Sequence, residues 1–153
     1  MSELKQKAIS LGLCKEFQAS WSEDLVGMYL KGITWCLSRR YPTLEDMLPY
    51  DNLLVDNDIY NNRLVNLLLI GEIYVLNNCT GEVEIDDFNV SRLYTSLDSI
   101  IEVNVKDSAI LFIDAYDNSV LRIKVDENAQ CTVFKYGNSA IQILSGNVKI
   151  IQK

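Results

Sequence analysis

From Gly71 onward, apolar and polar side chains alternate in stretches of five or six residues, as in Ile101-Glu102-Val103-Asn104-Val105 and Leu111-Phe112-Ile113-Asp114-Ala115. A period of two sends successive side chains to opposite faces of an extended chain, so each stretch predicts a strand with one buried side. The first third has a different rhythm. Between residues 22 and 40, Leu25, Met28, Tyr29, Gly32, Ile33, Cys36 and Leu37 fall three or four apart, the spacing of one helix face. Ser22 serves as its N-cap, two acids follow in the first turn, and Arg39 and Arg40 close it before Pro42. Residues 43–48 predict a short helix capped by Thr43 and closed by Pro49, and residues 3–11 an earlier one.

Written in rows of twenty from Gly71, the alternating region lines up in columns. Val83, Val103, Ile123 and Ile143 share one column, Ile85, Val105 and Val125 a second, and Ile73, Leu93, Ile113 and Val133 a third. Asn78, Asp98, Asn118 and Asn138 form a turn column, followed at the next position by Cys79, Ser99, Ser119 and Ser139. Asp87, Asp107 and Glu127 mark a second bend half a period away. An antiparallel sandwich also explains alternation but has no need of columns at a fixed step. A constant step instead stacks equivalent strands over one another. The expected fold is therefore α+β: a helical head over residues 1–50, a linker or first irregular rung over 51–70, and a single-stranded β-solenoid over 71–153 with about 20 residues per rung. The turn column is expected to form a hydrogen-bonded structural ladder of Asn78, Asp98, Asn118 and Asn138.

The predicted outward positions differ between the two strands of a rung. One face is polar, with Glu102, Asn104, Lys106, Arg122, Lys124, Asp126 and Gln142. The other carries Tyr74, Leu76, Tyr94, Phe112, Tyr116, Phe134 and Tyr136 where a solvated face would be polar. Tyr74, Tyr94, Phe112, Tyr116, Phe134 and Tyr136 are accordingly the candidate interface residues. Two coverings are open for them, the chain's own helices or a second protein, most economically another copy of the chain.

Composition narrows the chemistry. The chain of 153 residues has no histidine, which excludes imidazole bases and ligands, and 21 acidic against 14 basic residues, a net charge of −7 that repels nucleic acid phosphates and anionic membranes. The four cysteines, at 14, 36, 79 and 131, have no Cys-x-x-Cys spacing and read as isolated buried thiols. No glycine falls in a phosphate-binding frame, so no metal, cofactor or catalytic residue is expected. No signal segment or membrane span is expected, which points to a cytoplasmic protein, or to a virion if the chain is a phage structural protein.

Leu11-Gly12-Leu13-Cys14, the segment Tyr29-Leu30-Lys31-Gly32-Ile33-Thr34-Trp35-Cys36 with Tyr41-Pro42, and the turn Asn78-Cys79-Thr80-Gly81 together resemble an uncharacterised family of small proteins. Its members are encoded by phages and mobile elements of gut Bacteroidales and combine a helical head with a repetitive β tail. The resemblance implies a virion, assembly or host-interaction role and brings no catalytic residues. The expectation is a non-enzymatic structural or protein–protein interaction module that self-associates or binds a partner through its aromatic face. The alternative is an acidic inhibitor or nucleic-acid mimic that engages a host or anti-phage defence enzyme, for which twelve acids against seven bases from Gly71 onward supply the charge.

Overall fold

The computed structural model describes residues 2–153 as two compact units, Met1–Asn57 and Asp58–Lys153. In the first, six short α-helices follow one another: α1 (Glu3–Ser10), α2 (Lys15–Ala19), α3 (Leu25–Lys31), α4 (Ile33–Arg39), α5 (Leu44–Met47) and α6 (Asp51–Val55), with a 3-10 turn at Leu48–Tyr50. The stretch expected as one helix over 22–40 is two, and its cap is Asp24, not Ser22, because the Asp24 carboxylate accepts the Gly27 N–H at 3.2 Å. The break falls at Gly32, where an added Cβ would collide with the Phe17 ring, so the missing side chain makes room for that aromatic. Thr43 and Asp46 form a reciprocal capping box on α5 as expected. Pro49 does not end the helical run, since it occupies the first positions of the 3-10 turn, where its missing N–H costs nothing. Ala8, Leu13 and Tyr41 centre this unit's core, with Leu4, Phe17, Trp21 and Trp35 packed on them, and the Tyr41 hydroxyl donates to the Leu4 carbonyl at 2.8 Å. No helix among the described residues is long and apolar enough to cross a membrane.

The second unit is a β-solenoid of about five turns, with about 20 residues per rung. Odd-numbered strands β1 (Ile59–Asn61), β3 (Ile73–Asn77), β5 (Val90–Ser96), β7 (Ile110–Ala115), β9 (Gln130–Lys135) and β11 (Val148–Gln152) stack in parallel as one sheet, here sheet A. Even-numbered strands β2 (Leu64–Leu68), β4 (Thr80–Ile85), β6 (Ile100–Val105), β8 (Val120–Val125) and β10 (Ala140–Ser145) stack as sheet B. Two strands per rung thus enclose a core of inward rows. Val83, Val103 and Ile123 form one, Ile85, Val105 and Val125 another, and Leu93, Ile113 and Val133 a third, all buried.

The solenoid begins at Ile59, inside the segment expected as a linker or first irregular rung, and its early rungs are short. Val75 stacks on Ile59, sixteen positions before it, and Tyr94 on Val75 after nineteen; the step is twenty from β5 through β9 and seventeen from β9 to β11. The corner accounts for one residue of the difference, and the shorter strands β2 and β3 for the rest. Between β3 and β4 stand two residues, Asn78 and Cys79, whereas three, at 97–99, stand between β5 and β6. Gly81 accommodates the transition: it lies in an inward row between Val65 and Ile101, at φ +135°, with the Val65 carbonyl where a Cβ would be.

Burial pushes the Cys131 thiol from the usual 9.0 up to about 12, and Cys36 likewise. A raised folded-state value means that the unfolded chain loses its proton first, so stability is undiminished below pH 9 and declines as pH rises toward 12. The midpoint of urea unfolding should fall across that window, and Cys131→Ala should flatten part of the decline; an unchanged slope in the variant would contradict this role. Cys14, expected as a buried thiol, is exposed at the start of α2, and Cys79 is buried in the solenoid core.

Candidate interaction face of the solenoid

Register decides which of the six candidate aromatics face out. Tyr74 pairs with Leu93 and Leu76 with Thr95, so both point into the core, and the Tyr74 hydroxyl accepts N–H bonds from Ile70 and Gly71 at 3.0 and 2.8 Å. This corrects their expected place on the outer face. Rows of twenty carried back across a nineteen-residue step shift the strand by one, and a shift of one exchanges its two faces. Ile73, expected inside, is correspondingly outside beside Arg92.

Three of the remaining candidates stand on outward rows of sheet A. Arg92, Phe112, Thr132 and Lys149 form one such row; Tyr94, Asp114, Phe134 and Ile151 form the next. Tyr116 and Tyr136 follow directly after β7 and β9 and lie ring on ring, centroids 4.3 Å apart and planes 2° from parallel. Tyr94 and Tyr116 are buried, while Phe112, Phe134 and Tyr136 are half-buried.

The centre of this face is a charge pair absent from the sequence-based site. Asp114 is held by Arg92 in two bonds, Nε to Oδ2 at 2.6 Å and Nη2 to Oδ1 at 3.0 Å. The carboxylate side chain is 1% exposed and the arginine 42%. The guanidinium lies 5.6 Å from the Tyr94 ring centre and 5.4 Å from that of Phe134, which Lys153 Nζ also approaches at 5.4 Å. Such contacts favour a cation over an aromatic ring. The bond to Asp114 and its charge hold the Arg92 proton more tightly than usual, and burial raises the Tyr116 hydroxyl well above the ordinary tyrosine range, with Tyr136 and Asp114 adding to it. Both groups therefore keep their protons at neutral pH.

Sheet B is polar on its outer side, as expected, and its charges are tied together. Glu84 pairs with Lys106 at 2.6 Å, Glu102 with Lys124 at 3.0 Å, and the Asn104 amide donates to Glu82 at 2.7 Å. Each of these pairs, and Arg92–Asp114, spans twenty-two positions: one rung up and two residues along. The bend acids are engaged too. Asp107 Oδ2 accepts the Asp87 N–H and Asp126 Oδ2 the Asp107 N–H, each at 3.0 Å, so Asp126 occupies the place expected for Glu127. These bonds hold Asp87 and Asp107 at positive φ. Beside them Phe88 is 80% exposed.

One step of the expected Asx ladder forms, between Asp98 and Asn118, whereas Asn78 reaches back to Asn62, outside the expected column. Asn78 donates to Asn62 at 2.7 Å and Asn118 to Asp98 at 3.2 Å. The longer corner separates them, since the positive-φ residues run Asn78, Leu97, Asp117 and Gly137, placing Asp98, Asn118 and Asn138 one residue past the position Asn78 holds. The buried bonds lie in the neighbouring small-residue column. Ser99 Oγ accepts the Cys79 N–H at 3.0 Å and donates to the Ser96 carbonyl at 2.8 Å, and Ser119 Oγ donates to the Tyr116 carbonyl at 2.7 Å. Among the described residues no group of three His, Cys, Asp or Glu side chains could hold a metal ion. In comparisons with known proteins, no family model, no curated protein and no solved structure matches the chain.

Proposed function

We propose that the chain is a structural interaction module that self-associates through the outer face of sheet A, a role in keeping with the mobile-element proteins it resembles. The observation that carries the reading is the pairing of half-buried aromatics with cations on a protein of net charge −7: Phe112, Phe134 and Tyr136 beside Arg92, Lys149 and Lys153, with one carboxylate, Asp114, already neutralised by Arg92. A face of this kind takes a partner that offers acids around an apolar group. A second copy does so at its bend corner, where exposed Phe88 stands among Asp87, Asp107, Asp126 and Glu127. A face meeting a different surface of the next copy gives a heterologous contact, which builds rings or open chains. Acidic mimicry has less support, because Glu84 and Glu102 on sheet B are each paired with a lysine.

The test is solution mass by light scattering at low and high salt, for wild type, Phe112→Ser/Phe134→Ser and Phe88→Ser. Wild type should exceed the 17.4 kDa of one chain at low salt and approach it at high salt, and both variants should remain folded monomers. A wild-type protein that stays at one chain's mass at every salt and concentration would overturn the proposal.

A further inference from the structure

Tyr116 and Tyr136 share one column of the solenoid, twenty positions apart, at the corners that follow β7 and β9. Their backbones are held alike. The Tyr116 N–H donates to the Thr95 carbonyl and the Tyr136 N–H to the Ala115 carbonyl, each at 2.8 Å. Their own carbonyls accept the hydroxyls of Ser119 and Ser139, three residues on, at 2.7 and 3.3 Å. Equal anchoring on successive rungs, about 4.8 Å apart, sends both side chains the same way. The rings accordingly lie with centroids 4.3 Å apart and planes 2° from parallel. Among the described residues of the solenoid no other pair of tyrosine rings stacks. Tyr94 stands in a different row, with Asp114 and Phe134.

We infer that Tyr116 and Tyr136 are a site of oxidative modification, at which a peroxide-driven one-electron oxidant joins the two rings as an intrachain dityrosine. A tyrosyl radical carries its unpaired electron in a π orbital, whose lobes at the ortho carbons stand normal to the ring. In a parallel stack those lobes point at the neighbouring ring, so coupling follows an axis that the fold already holds, without a search for orientation. The first electron leaves Tyr136, the more exposed ring, and its phenolic proton passes to water. Tyr116, 5% exposed, is oxidised through the stack: it passes an electron to the Tyr136 radical and its proton to water, and a second oxidation of Tyr136 completes the radical pair. The rings then join ortho carbon to ortho carbon. Each bonded carbon gives up its hydrogen while its phenolic oxygen regains one, which restores both aromatic rings. Two C–H bonds are lost and one C–C bond is made, and the two electrons and two protons released reduce one hydrogen peroxide to two waters. Burial of Tyr116 keeps a second molecule's tyrosine away from it, so the bond forms within the chain. It closes a loop of twenty residues and fastens successive rungs, a constraint that falls mainly on the unfolded chain.

The site does not depend on self-association, and dilute protein at high salt tests it apart from the face contact proposed above. The full chain, treated with a haem peroxidase and one equivalent of hydrogen peroxide, should gain dityrosine fluorescence at the mass of one chain less two hydrogens. Proteolysis should release peptides joined through residues 116 and 136, and the urea midpoint of the product should lie above that of untreated protein. Tyr116→Phe and Tyr136→Phe each keep a ring in the stack but remove a phenol, so each should lower the intrachain yield several-fold while retaining the wild-type circular dichroism. Tyr94→Phe should leave the yield unchanged. Cross-links that map to other tyrosines, or that form only between chains, would overturn the inference. So would a wild-type intrachain yield no higher than that of Tyr136→Phe.

Discussion

Arg92→Ala is expected to destabilise the fold by about 3 kcal/mol, because it strands a buried carboxylate without its partner. The Asp114 side chain is almost wholly removed from solvent, and the structure gives it two charge-assisted bonds, both from Arg92. The arginine is part-exposed, so water can move in after truncation and the loss falls at the lower end of the range for buried pairs. Arg92→Met/Asp114→Leu should recover most of it, since two apolar side chains of similar volume leave no charge to solvate. Urea unfolding of the single and double variants distinguishes this from a loss of packing: an arginine that mattered only as a lid over Tyr94 and Phe134 would leave the double variant as weak as the single one.

Tyr74→Ala is expected to cost about 4 kcal/mol, the size typical of removing a buried aromatic. Its ring belongs to the solenoid core, and its hydroxyl accepts the N–H groups of Ile70 and Gly71 in the bend before β3. Truncation therefore opens a cavity and also leaves two turn donors without their acceptor. Tyr74→Phe separates the parts and should cost about 1 kcal/mol, the ordinary net worth of such bonds. A full-sized loss in the phenylalanine variant would show that the bend, and not the core, depends on this side chain.

The regular part of the solenoid was legible because its rows repeat at one step. Val83, Val103 and Ile123 face in, and Glu102, Asn104 and Arg122 face out, where alternation and the twenty-residue rows put them. Tyr74 and Leu76 were misplaced because a corner of two residues looks, in sequence, like a corner of three that happens to hold a different pair. Alternation survives on both sides of the slip, so nothing in β3 alone reveals which of its two faces is buried. Two signals could have located it. Gly81 occupies an inward row where the next two rungs have Ile101 and Leu121, a gap that only a close backbone approach explains. The other is charge pairing at twenty-two positions, which joins Glu84 to Lys106, Glu102 to Lys124 and, on the other sheet, Arg92 to Asp114. That spacing marks Arg92 as outward. It then sets Tyr94, two residues along the strand, on the same side.

In the helical unit the periodicity over 22–40 was real, yet it could not show that the chain turns at Gly32, because a glycine continues an apolar stripe as readily as it breaks one. The ring of Phe17, eight residues before the stripe's first leucine at residue 25 by chain order but adjacent to Gly32 in space, settles the matter through a tertiary contact. The cations of the sheet A face were invisible for a similar reason. Lys149 and Lys153 are unremarkable along the sequence and gain significance only when β11 stacks on β9, beside Phe134.

The central claim is that the Phe112 and Phe134 side of sheet A faces outward while the Tyr74 side is core, and urea unfolding of Phe134→Ala beside Tyr74→Ala tests it most directly. The account predicts a loss of about 1 kcal/mol or less for Phe134→Ala and about 4 kcal/mol for Tyr74→Ala, the difference between a half-exposed ring and a buried one. Equal losses, or a larger one for Phe134→Ala, would contradict it.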